Sequence, residues 1–512
     1  MKRLIGNLVP DRAPQLQASR HRTDPRLTIA LLLLTLYATI VPFWTTIIPP
    51  STDLPQHLSQ IYLLEQTLSG ARTDLVVTPW YYANTLIYAL IYVFWHLTDP
   101  ITVGRLTLST LAASWVLAGY FLARARNRPV ENWLIGIPLT FNFLFYWGLL
   151  NLLIGWPIFC VFIVMVERAS LRFRTLQLAL IALLLYYAHA LWFAMANVWL
   201  TLFLMLQKPK SRSSFVAAMI PAWLLALNWY PKLVESRYGS GVNTGVIWGK
   251  IPIERLNFGY FTDAALGGMQ GELEPFYVYL LIAWVVGIVI TRHKKLDSET
   301  DKPMLFGAAL LILCYWALPE FYLNTIFFNK RWLPCGLILL LLSLPAPSIK
   351  PLYLNVIGAM TIAIFSCATI AAWRNWEHEQ LDGLMNAIDQ IDSRDRVFGG
   401  DMLGSGLNLK GRPNLQIAGY VQALKGCNIN FSFTEHFTGA VQYSERRASK
   451  MSSRTLWSPP MSSPEYLRNF DKVLLGGDEA QHEFMRRHLR LEPVDHAQTS
   501  WRLYRPQPSR DS

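Results

Sequence analysis

Asp53 and His57 lie within five residues of each other in PPSTDLPQHLSQIYLLEQ, the stretch from 49 to 66, just after a long apolar run. An acid at the edge of an oily segment is costly, so its presence there asks for a partner. Arg105, in DPITVGRLTLSTL, and Arg331, in FNKRWLP beside Lys330, are candidates. A guanidinium grips phosphate oxygens with two parallel hydrogen bonds. One carboxylate with two or three cations at one membrane face would suit a lipid-phosphate substrate. His189, in YYAHALWF, is a further candidate, because histidine within a span points to a polar cavity. Each residue also has a plainer reading. Asp53 can cap a helix whose first turn holds Pro55. The arginines can be anchors that snorkel to headgroups, and His189 can satisfy a helix turn.

Those readings depend on the elements that carry the residues. The chain has 512 residues, 52% hydrophobic and 16% charged, whereas soluble domains carry about 25% charged residues. It is read as a polytopic α-helical membrane protein. Its net charge of +12 sits largely in short basic clusters between apolar runs, which argues for membrane orientation and against nucleic acid. Five cysteines show no disulfide framework and no metal-ligand spacing, and are read as small buried apolar residues.

Basic clusters mark the cytoplasmic side. They are Lys2 to Arg26; Arg124, Arg126 and Arg128; Arg168, Arg172 and Arg174; Lys208, Lys210 and Arg212; Arg292, Lys294 and Lys295; and Lys350. Apolar runs at 27–48, 101–122, 132–148, 150–166, 175–189, 190–206, 214–230, 276–291, 303–318, 332–345 and 352–372 join them as about 11 transmembrane helices. Residues 1–26 are then a cytoplasmic N-terminal segment, with no signal cleavage site. The run WYYANTLIYALIYVFWHL, 80–97, is left out of the count. As a span it would put Arg124, Arg126 and Arg128 outside. As an interfacial helix in the first outer loop, 49–100, it keeps every cluster inside and places its aromatic residues at the interface. The start of that loop, with Leu58, Ile61, Leu64 and Leu68 at helical spacing, is read as another interfacial helix.

Residues 231–275 form a long outer loop, and loops of that length are often functional. Lys232, Glu235, Arg237 and Tyr238 there are either substrate contacts or a solvated face. Glu272 and Glu274 offer two carboxylates without a visible base. Asn142 and Asn151 bracket an outer turn. Residues 373–512 are polar and rich in turn signals, and are expected to form a small C-terminal α/β periplasmic domain. RVFGG, KVLLGG and WRLYRP read as strands, and EHEQLDGLMNAIDQI and DEAQHEFMRRHL as helices. A Gly-rich phosphate loop, a zinc helix motif and a serine nucleophile elbow do not stand out.

The order of these features resembles the GT-C superfamily of membrane glycosyltransferases, of protein-mannosyltransferase type. The likeness is carried by the acidic first outer loop, the interfacial aromatic helix, ITVGRLTLSTLAASWVLAGYFLAR and NKRWLPCGLILLLL. WGLLNLLIGWPIFCVFIV and YYAHALWFAMA are similar to stretches in bacterial membrane proteins of this type. The likeness covers about residues 27–372. It implies transfer of a sugar from a polyprenyl-phosphate-linked donor to a glycan, lipid or protein acceptor on the outer face of a bacterial inner membrane. The family's catalytic acid matches Asp53, and its outer arginines match Arg105 and Arg331. Asp53 would be the general base, with Lys330, His57 and His189 beside the phosphate. Many members carry two adjacent acids in this loop. Here Asp53 stands alone, so a divalent metal ion would find only Asp53 and His57. The rival readings are a lipid or glycan transporter or flippase, and a non-catalytic envelope assembly protein acting through its tail. Transporters place their charges near the midplane of repeated halves, whereas these charges cluster at one face.

Overall fold

The protein is described from a computed structural model, which covers residues 25–168, 173–207, 212–239, 245–323, 325–406, 408–435, 439–444, 458–495 and 497–508. The basic segment ahead of Pro25, Arg172, Lys208 and Lys210 lie outside the described residues, as do the side chains of Arg168, Arg237 and Tyr238.

The chain is mostly helical, and among the described residues seven helices are long and apolar enough to cross a membrane. They are α1, Pro25–Ile40 with its 3-10 extension to Trp44, α4, Pro100–Ala125, α7, Leu150–Arg168, α9, Ala190–Gln207, α10, Arg212–Gly239, α12, Leu273–Arg292, and α16, Pro351–Gln380. Lipid offers backbone and hydroxyl groups no water, so they must bond within the helix. In α1, for instance, the Thr35 and Thr39 hydroxyls donate to the carbonyls of Leu31 and Thr35, each at 2.7 Å.

The expected count of eleven also took in α8, Arg174–Ala188, α14, Lys302–Ala317, and α15, Leu333–Ser343, each shorter than a usual span, together with the 132–148 run. That run is not one helix. It divides into α5, Val130–Gly136, a 3-10 turn over Ile137–Thr140, and α6, Phe143–Trp147. Pro138 removes a backbone donor, and the Asn142 side chain accepts from Leu144 N to start a new helix. The 80–97 run contains α3, Leu86–Trp95, a helix of 10 residues, about 15 Å long and too short to cross.

The basic groups assigned to one side meet acids and carbonyls from elsewhere in the chain. Arg126 pairs with Asp301 at 2.6 Å and also with Glu167. Arg128 donates to the carbonyls of Leu342, Ser343 and Glu299. The cysteines are only partly as expected: Cys160, Cys335 and Cys427 are buried, while Cys314 is half-buried and Cys367 is exposed on α16.

The first outer loop carries α2, Leu54–Leu68, and β1, Leu75–Val77. Leu58 and Ile61 are fully buried, whereas Leu68 is exposed, because α2 outruns the surface it packs on. The long outer loop begins later than expected, since α10 continues to Gly239. Lys232 therefore rides on that helix and donates to the Tyr81 hydroxyl at 2.8 Å. Arg255, with the guanidinium fully buried, ties the rest of the loop to the carbonyls of Tyr315 and Trp316 at the end of α14.

The tail builds a five-stranded sheet in the order β3-β2-β5-β7-β6. β2 is Arg396–Asp401, β3 Asn428–Ile429, β5 Lys472–Gly476, β6 Leu491–Pro493 and β7 Trp501–Pro506. β3, β2 and β5 run parallel, and β7 pairs antiparallel with both β5 and β6. All five β5 residues are buried, as suits a central strand covered on both faces. α20, Glu479–His488, covers one face through Met485. On the other, Val397, Leu474 and Leu503 join the core that fills the helical bundle. The expected helix in EHEQLDGLMNAIDQI is two pieces: the end of α16 and α17, Leu384–Asp389, parted at Gly383, whose φ is +77°. The 373 boundary thus falls inside α16. The tail also adds β4, Val441–Tyr443, antiparallel to β1, and lays α18, Ala418–Lys425, against α2.

Candidate functional site

Asp53 opens α2, but its side chain does not cap it. Its backbone is already helical, with φ −89° and ψ −10°, whereas a capping residue is usually extended. The carboxylate turns instead to the tail, where Gln416 Nε2 donates to Oδ1 at 2.6 Å. The loop is fixed by the end of α6. Thr52 N and Asp53 N donate to the carbonyls of Tyr146 and Trp147 at 3.0 and 3.1 Å, and the Ser51 hydroxyl donates to that of Phe145. Gly148 makes this approach possible. Its φ is +81°, and a Cβ there would lie 2.7 Å from Asp53 N.

Asp53 is buried, and burial lifts its pKa well above the usual carboxylate value, with the charge of Arg331 pulling the other way. Arg331 sits in a 3-10 turn ahead of α15, buried, and its guanidinium donates to the Ile326 carbonyl. Phe327 holds that segment in a left-handed conformation, φ +54°, strained for so large a residue. Its ring is pinned 4.6 Å from Trp147 and 4.9 Å from Phe143, so α6 braces both the Asp53 loop and the Arg331 turn. The Arg331 charge also reaches His189, which lies between α8 and α9 with its Nδ1 accepting from Leu191 N.

His57, one turn into α2, lies with Nδ1 3.2 Å from the Tyr88 hydroxyl and its ring edge-on to Phe433 of the tail. Burial lowers its pKa to about 4, against a hydrogen bond with the Gly148 backbone that raises it. At neutral pH it is an uncharged imidazole and brings no positive charge to a phosphate. The donor set does not fit a divalent ion: among the described residues no three His, Cys, Asp or Glu side chains gather where one would bind.

The other two cations have partners of their own. Arg105 is half-buried and donates to the Ile47 carbonyl at 3.1 Å, with its guanidinium 5.9 Å from the Trp44 ring centre. The Lys330 ammonium stands over three rings, 4.6 Å from Tyr260, 5.6 Å from Phe327 and 5.7 Å from Phe143. The structure thus brings Asp53 and His57 to the end of α6, lets the Arg331 charge reach Asp53 and His189, and turns Arg105 and Lys330 to aromatic partners. Gln416, Tyr88 and Gly148 escaped the sequence reading. Tyr88 was in view within the interfacial helix, but nothing near Gln416 marks it as a neighbour of residue 53.

Glu274 is also buried and fully engaged. It accepts from Gly268 N and Met269 N at 2.8 Å each, and from Lys410 Nζ at 3.0 Å. Lys410 bonds Asp263 as well, and the 268–270 backbone pairs with 408–410. The partner missing from the sequence reading is the Lys410 ammonium, from the tail. Tail residues therefore hold both outer loops.

No family model matches the chain, and no curated protein matches it. Among solved structures, the cryo-EM structure of the arabinofuranosyltransferase AftD from mycobacteria aligns with a TM-score of 0.49 and 13% identity, over 96% of this chain and 40% of that one. A mutant form of AftD aligns with a TM-score of 0.42 and 12% identity, over 96% and 42%. The chain spans about two fifths of the length of those proteins. At these scores the likeness does not by itself assign an activity.

Proposed function

We propose that the protein is a membrane glycosyltransferase that uses a polyprenyl-phosphate-linked sugar, with Asp53 as general base. The observation that carries this reading is a buried carboxylate within electrostatic reach of a buried arginine at the end of a helical membrane bundle. A base works best when its pKa lies near the working pH, and burial moves Asp53 in that direction. The Asp53 carboxylate takes the proton of an acceptor hydroxyl. The acceptor oxygen bonds to the anomeric carbon as the bond from that carbon to the phosphate oxygen breaks. The electron pair leaves with the lipid phosphate, and Arg331 meets the charge. His57 and Tyr88 shape the wall beside Asp53. The reaction faces the periplasm, with the N-terminus in the cytoplasm and the tail outside. In a membrane assay with a polyprenyl-phosphate sugar, Asp53→Asn should abolish transfer while the protein still inserts and folds. Normal transfer by that variant removes Asp53 from the reaction.

A further inference from the structure

The tail holds a second built site, away from Asp53. An open cleft of about 470 Å3 lies where β2 and β5 end side by side, Asp401 opposite Gly476. In open α/β sheets ligands bind outside the carboxyl ends of parallel strands, and small-molecule pockets run about 300–1,000 Å3. Asp401, Arg412, Pro459, Asp478, Gln481 and Phe484 are among the residues lining it.

Asp401 is the informative member. It is 1% exposed. Its Oδ1 accepts from Leu403 N at 3.0 Å, but its Oδ2 has no hydrogen-bond partner among the described residues. Arg412 donates to the Asp401 carbonyl at 2.7 Å and stands 3.5 Å from Oδ2, near enough to balance charge but long for a hydrogen bond. A buried acceptor left so is costly unless something else supplies the donor. Asp478 and Gln481 are committed to each other at the start of α20, and Gln481 also donates to the Met402 carbonyl. They therefore form a fixed rim. Phe484, two turns along α20, exposes its ring at the edge of the cleft.

This lining selects its occupant. A phosphate or other anion would face two carboxylates. A purely apolar ligand would leave Asp401 Oδ2 unsatisfied. Arg412 already offsets the Asp401 charge, so a cation gains little. A neutral polyol supplies hydroxyl donors for Oδ2 and lays its C–H face on an exposed ring. We propose that this cleft binds a neutral carbohydrate, one or two sugar residues long. The segment after Asp401 links the cleft to the Asp53 loop. Arg412 meets Asp401 with its side chain and accepts from the Thr52 hydroxyl with its carbonyl, at 3.2 Å, and Gln416 reaches Asp53. Resting on the transferase reading, the bound sugar would be part of the acceptor glycan.

The test uses the full-length protein in nanodiscs, with saturation-transfer NMR and titrations of neutral di- and tetrasaccharides of mannose, galactose, glucose and arabinose. Inorganic phosphate and spermidine serve as charged probes. At least one oligosaccharide should bind saturably, and Asp401→Asn and Phe484→Ala should each weaken it tenfold or more. Phe484 is a surface residue, so its variant separates binding from folding. The titrations contain no sugar donor and read no transfer, so a failed transferase reading leaves this site standing. Saturable binding of phosphate or spermidine in place of sugars overturns the proposal. So does the absence of saccharide binding, or binding unchanged by both cleft variants.

Discussion

Asp53 and Glu274 are both buried acids, both within reach of α6, and they are held in opposite ways. Glu274 takes two backbone N–H groups and a lysine, and closes the long outer loop onto the tail. Among the described residues the Asp53 carboxylate takes one hydrogen bond, from a neutral amide, and feels an arginine whose guanidinium is bonded to a backbone carbonyl. A saturated acid stabilises a fold, whereas a partly compensated one costs stability and keeps its chemistry available. Under the proposed function, the contrast is that between a structural carboxylate and a reactive one.

The largest break in that contrast should come at Glu274. Glu274→Ala leaves half-buried Lys410 with Asp263 alone and strands the N–H groups of Gly268 and Met269, which together should cost about 3 kcal/mol. Thermal unfolding in detergent should show it, along with protease access at 268–270. A loss under 1 kcal/mol would mean that the ion pair holds little. Arg331→Met should lower the transfer rate about a hundredfold or more, as when one preorganised charge is taken from a transition state. Lys330→Met, one residue away, should change the rate less than about threefold, since its ammonium stands over aromatic rings and feels the charges of Glu320 and Asp263. Equal losses in the two variants would dissolve the distinction between those cations.

Asp53, with one hydrogen bond against three for Glu274, should gain stability when its charge is removed. Its folded pKa is raised, so the folded state holds the proton more tightly than the unfolded chain. The stability this lends is present below the unfolded carboxyl pKa and is lost as pH rises through the folded one. Asp53→Asn removes that loss, and at neutral pH should gain about 1 kcal/mol. At pH 3 the gain should vanish. A destabilised Asn variant at neutral pH would show that the charge is well compensated. The smallest effect tests the hinge between loops. Gly148→Ala meets both a positive φ and the Asp53 backbone, and should cost about 1 kcal/mol or more while misplacing the acid. Unfolding and transfer measured together would show whether it harms rate beyond stability.

Much of the framework was legible in the residues. Long apolar runs with few charges argue for membrane helices, and among the described residues seven helices are long and apolar enough to cross. The β-branched and glycine punctuation of RVFGG and KVLLGG marked the two central strands. The 132–148 run misled because hydropathy is blind to Pro138 and Asn142, which break a buried helix without making it polar. At the site, Asp53 and Arg331 announced themselves as charges out of place. Arg105 and Lys330 looked the same, because sequence does not say whether a cation faces a carboxylate or an aromatic ring. Gln416 is 363 residues from Asp53, and a contact of that range leaves no local periodicity to read.

The most direct measurement is an infrared titration of the Asp53 carboxyl, isolated by difference between the unaltered protein and Asp53→Asn in nanodiscs, with and without Arg331→Met. The account predicts a proton that leaves well above pH 3.8, and a further rise when the Arg331 charge is removed. A carboxyl that titrates in the ordinary range and ignores Arg331 would contradict it.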